Sequence, residues 1–82
     1  MNKDEVRNII ESTLKSGSKS PGLFDLPKIM SVKGKLESCS SITQVVVVLA
    51  DNRTLISKSF GVSDALFDGG IAKLNELDQT TS

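Results

Sequence analysis

Ile42-Thr43-Gln44-Val45-Val46-Val47-Val48-Leu49-Ala50 is the long apolar run of this chain. Its four consecutive valines are β-branched and stiff at χ1, which favours a strand over a helix. Alternate side chains of a strand point to opposite faces, so an unbroken apolar run predicts a strand buried on both.

Before the run, Lys28 to Ser38 alternates. Met30, Val32 and Leu36 fall on one side, and Ile29, Ser31, Lys33, Lys35 and Glu37 on the other. The pattern predicts a half-buried strand with a wet face. After the run, Asp51-Asn52 suits a tight hairpin turn, and Thr54 to Val62 predicts the returning strand. At the chain start, Asn2 is an N-cap with Glu5 three residues on, and Val6, Ile9, Ile10, Thr13 and Leu14 share a helical face. A helix is expected from Lys3 to Ser16, with Gly17 as a left-handed cap. Ser63 caps a second helix, with Leu66, Phe67, Gly70, Ile71, Leu74 and Leu77 on its inner stripe. Gly69-Gly70 either breaks that helix or lets its backbone approach the sheet. Residues 17–27 form a loop in which Leu23, Phe24 and Leu26 are expected to pin the connection to the core, an exposed apolar finger for a partner being the sharper alternative, and residues 79–82 a frayed tail.

The expected fold is therefore a single α+β domain over residues 1–82. Its order is α-β-β-β-α, a three-stranded antiparallel meander with two helices packed on one face. Two short helices cover only one side of such a sheet. Ile42, Val46, Val48 and Leu55 would then lie opposite, either under the Leu23–Leu26 loop or as an uncovered patch, the candidate interface for a second copy or another protein.

Composition excludes much chemistry. The 82 residues hold no histidine and one cysteine, Cys39. Cys-His and Ser-His-Asp catalysis are impossible, no disulfide can close within the chain, and neither a zinc site nor a cofactor is expected. Asp64 and Asp68, spaced i, i+4, are the remaining carboxylate pair for acid–base or magnesium chemistry, and a solvated helix start is the plainer reading. No phosphate-binding loop is present: Gly17 to Gly22 lacks the Gly-Lys-Ser/Thr ending. The expectation is a protein that is not an enzyme.

Lysine and arginine number ten, as do aspartate and glutamate, so the formal net charge is zero. The charges are segregated. Lys15, Lys19, Lys28, Lys33 and Lys35 stand against Asp25 alone between residues 15 and 35. Those lysines are the candidate contacts of an alternative, nucleic-acid-associated reading. With no tryptophan or tyrosine, base stacking has few platforms. The N-terminal residues are polar and helical in pattern, without the apolar run of a secretion signal, and no stretch is long enough for a membrane span. A lone cysteine fits a reducing compartment, so a cytoplasmic protein is expected.

Ser41-Ile42-Thr43-Gln44-Val45-Val46, with Ile56-Ser57-Lys58-Ser59 after the turn, and the helix, three-strand, helix order resemble small phage-encoded type II anti-CRISPR inhibitors. Those inhibitors present a dense acidic surface, whereas this chain is neutral and lysine-rich in its first half. The resemblance implies a small phage or mobile-element protein that acts by binding another protein. Together with the open sheet face it gives the expected function: a self-associating interaction protein that regulates or inhibits a protein partner.

Overall fold

The computed structural model describes residues 1–81 and has five helices in chain order: α1 (Lys3–Lys15), α2 (Leu26–Glu37), α3 (Ile42–Asp51), α4 (Arg53–Phe60) and α5 (Asp64–Thr81). No strand occurs among the described residues. The α+β meander is thus overturned. Its three expected strands are α2, α3 and α4, and the helix, three-strand, helix order behind the inhibitor resemblance goes with them.

The apolar run is helical, and its start is capped. The Ser41 side chain accepts a hydrogen bond from Gln44 N at 3.2 Å. Gln44 Oε1 in turn accepts from Ser40 N at 2.7 Å and Ser40 Oγ at 3.1 Å. This is a close variant of the capping box, satisfying backbone donors at a helix start. Within α3, Ile42, Val45 and Leu49 are buried while Thr43, Gln44 and Val47 are exposed. That is a three-and-four spacing, so the run has one core face, not two. Each valine is only slightly unfavourable in a helix, by about 0.7 kcal/mol or less, and tertiary burial overrides it.

Asp51-Asn52 makes no hairpin. Asn52 sits at φ −112° between α3 and α4, and its side-chain Nδ2 donates to the Val48 carbonyl at 2.8 Å. Only Gly61, at the end of α4, has a positive φ among the described residues. The left-handed cap expected at Gly17 is therefore absent; α1 ends at Ser16 in right-handed geometry. Gly17 is needed for proximity instead, because a Cβ there would collide with the Phe60 carbonyl. Ser18 N donates to the Gly61 carbonyl and Lys19 N to that of Phe60, tying the chain after α1 to the end of α4.

The two outer helices form where expected, except that Leu66 of the expected inner stripe is exposed and does not join the core. Asn2 Oδ1 accepts from Asp4 N and Glu5 N, and Ser63 Oγ from Leu66 N. Gly69-Gly70 does not break α5. Gly70 is buried, and a Cβ on it would lie 2.5 Å from Thr13 Oγ1, so its close approach is to α1 and not to a sheet. α5 continues through Thr81, so residues 79–81 of the expected frayed tail are helical; Ser82 lies outside the described residues.

Val6, Val32, Cys39, Ile42, Val45, Leu49, Ile56, Val62, Phe67 and Leu74 make the core. α5 packs against α1, α3 and α4, whereas α2 packs chiefly on α3. α2 is thus an outrigger on a four-helix body.

Candidate functional site

The outrigger carries the feature that sets the surface apart. Gly22 O accepts from Asp25 N and from Leu26 N, both at 3.0 Å, and the Asp25 carbonyl accepts from Ile29 N at 2.9 Å. Gly22 to Asp25 is therefore an ordered turn running directly into α2, with Pro27 in the first helical turn, where its missing N–H costs nothing. Leu23 and Phe24 stand at the tip of that turn, 84% and 94% exposed. Leu26 and Met30, one helical turn apart, follow at 42% and 68%. The expectation that Leu23, Phe24 and Leu26 pin the loop to the core is overturned: backbone hydrogen bonds order the turn, and its large side chains face solvent.

The inner face of α2 explains why. Val32 is buried, and Ile29 and Leu36 half-buried, at helical spacing. This anchoring stripe leaves Leu26 and Met30 on the outer side. A surface of this kind on a small protein marks a site of interaction.

The expected interface residues lie elsewhere. Ile42 is 2% exposed and belongs to the core; Val46, Val48 and Leu55 are half-buried against it. They do not gather on an open sheet face, because there is no sheet. The lysines are all exposed: Lys15 at the end of α1, Lys19 in the following loop, and Lys28, Lys33 and Lys35 on α2. Lys15 and Lys19 share the rim of an open concavity with Ser18, Ser20 and Phe60.

Asp64 and Asp68 are brought together, around a cation already in the chain. Arg53 Nη1 lies 2.8 Å from Asp68 Oδ1 and Nη2 lies 3.3 Å from Asp64 Oδ1. The guanidinium carbon sits 4.8 Å from the centroid of the Phe67 ring. The hydrogen bond from Arg53 holds the Asp68 carboxyl below the usual carboxylate range, and the two acids hold Arg53 above its ordinary value. This clamp joins α4 to α5 and occupies both carboxylates. Among the described residues no group of three or more acids, cysteines or histidines could hold a metal. Cys39 is buried, and its thiol donates to the Lys35 carbonyl at 3.2 Å. The void between α1, α3, α4 and α5 is about 20 Å³ and apolar, far below the few hundred Å³ of a ligand pocket.

No helix among the described residues is long and apolar enough to cross a membrane. No protein-family model matches the chain, and neither a curated protein nor a solved structure matches it significantly. The sequence marks Leu23, Phe24 and Leu26 as an apolar cluster inside a polar loop. Met30 escapes notice because the strand reading points it inward with Val32.

Proposed function

We propose that this chain is a non-enzymatic, cytoplasmic interaction module that regulates a protein partner by docking through the Gly22–Asp25 turn and the first half of α2. The near-complete exposure of Phe24 beside Leu23 on an ordered turn supports this reading most. A rigid apolar display binds with less ordering cost than a floppy one. Burying each such side chain contributes about 1.5–3 kcal/mol. Association itself costs at least about 4 kcal/mol, so an apolar strip of this size suits a weak, reversible contact. The self-association expected from an open sheet face loses its basis with the sheet.

A photo-crosslinking amino acid placed at Phe24, and separately at Thr54 on α4, tests the docking role in the producing cells. A discrete protein adduct from position 24, missing from position 54 and lost when Leu23→Ser and Met30→Ser are added, is the expected result. Identical adduct patterns from both positions would reject it.

A further inference from the structure

We infer that residues 20–39 form a flap that opens as one unit while the four-helix body stays folded, whether or not its apolar corner docks a partner.

The hydrogen bonds of this segment close within it. The Gly22 carbonyl accepts from Asp25 N and Leu26 N, Ser38 N donates to the Gly34 carbonyl, and Cys39 N donates to that of Leu36. The Ser38 hydroxyl and the Cys39 thiol both turn back to the Lys35 carbonyl. On either side the bonds belong to the body. Lys19 N donates to the Phe60 carbonyl, and Ser40 is joined to Gln44 in the cap of α3. Among the described residues, neither a hydrogen bond nor an ion pair crosses from the segment to the body. The body itself is cross-tied: the exit of α1 to the end of α4, and α4 to α5 through Arg53. The two joints of the flap therefore fall at Ser20-Pro21 and between Cys39 and Ser40.

Apolar contact alone holds the flap shut. Val32 and Cys39 are buried, and Ile29 and Leu36 half-buried. The helix has little support of its own. Asp25 gives it no side-chain cap, and Gly34 stands mid-helix with open space where a Cβ would be, a weak helix position. A segment with few buried apolar groups and no polar tie opens below the global transition. Away from the body, a helix of 12 residues is marginal in water, so opening melts it and frees its amides. Opening also brings Cys39, inert while buried, within reach of solvent. The side of α3 beneath α2 is then bared, a second apolar surface that the closed flap covers. Any ligand that prefers one state over the other shifts the balance between them.

Backbone amide exchange, followed by NMR on the full chain at urea concentrations below global unfolding, tests the flap. Alkylation of Cys39 by iodoacetamide under the same conditions is the second readout. The bonded amides of α2 should open at least about tenfold more often than those of α1, α3 and α5, with a smaller urea dependence, because less surface is exposed. Cys39 alkylation should follow the α2 amides. Gly69→Ala, which strengthens the body, should slow the body amides about fivefold and leave α2 exchange and Cys39 alkylation unchanged. A shared rate and urea dependence for α2 and the body would overturn the flap, as would equal slowing of both by Gly69→Ala. Fast α2 amides beside a Cys39 that reacts only at the rate of the body would mean fraying in place, and would overturn it too.

Discussion

Phe67 and Phe24 are the same side chain in opposite circumstances. Phe67 is 3% exposed inside the four-helix body, with Arg53 over its ring. Phe24 is 94% exposed on the turn before α2. Both positions are ordered, but by different forces. Around Phe67, apolar packing holds the backbone; around Phe24, backbone hydrogen bonds hold an apolar side chain away from any packing. The body of α1, α3, α4 and α5 thus carries stability, and the α2 corner carries surface free to act. If that division holds, Phe67→Ala should cost about 3–5 kcal/mol in urea unfolding. Phe24→Ala should stay within about 0.5 kcal/mol of wild type. A comparable loss from Phe24→Ala would mean that the corner belongs to the core after all.

Neighbouring glycines in α5 sharpen the contrast at finer scale. Gly69 faces open space, whereas Gly70 is pressed on Thr13, whose hydroxyl donates to the Ile9 carbonyl. Alanine at an unobstructed helical position gains about 1 kcal/mol over glycine. Gly69→Ala should therefore raise the unfolding midpoint. Gly70→Ala has the same propensity gain, set against forcing α1 and α5 apart, an overpacking cost of about 1–3 kcal/mol. It should lower the midpoint, and Thr13→Ala should restore much of the loss. Equal gains from both alanines would show that the α1–α5 contact is looser than its geometry.

The outer helices were legible because their signals agree: Asn2 and Ser63 cap them, and their apolar spacing is helical throughout. The middle of the chain was misread because two signals conflict there. Four valines favour a strand, while Ser41 and Gln44 form a helix start, and Ile42, Val45 and Leu49 have helical spacing. In α2, taking Met30, Val32 and Leu36 as an alternating set hid the Ile29, Val32, Leu36 stripe. With the valine run read as a strand, its neighbours pair with it as a sheet and Val46 and Val48 fall on an open face. The apolar corner was visible as Leu23, Phe24 and Leu26, but a sequence does not show whether such a cluster is covered. The conflict in α3 has a direct check. Ser41→Ala removes the acceptor for Gln44 N and should cost about 1 kcal/mol, with helical circular dichroism retained. A change toward strand signal would show that the cap, and not core burial, decides the conformation of the valines.

The smallest expected effect lies where α4 meets α5. Asp68 is held below its ordinary range by Arg53, so the folded state favours its charged form. A carboxyl depressed in this way contributes stability that is present above its unfolded pKa, near 4. The contribution is lost as pH falls through the folded value, where folded and unfolded chains both bind the proton. Asp68→Asn should therefore lower stability modestly at pH 7 and flatten the acid limb of the unfolding midpoint. The difference from wild type should shrink toward the acid end of the titration. Exposure and salt screening keep this effect small, and added salt should reduce it further. An acid limb that Asp68→Asn leaves unchanged would show that the Arg53 clamp adds nothing to the hold of α4 on α5, and that the body is kept together by apolar packing alone.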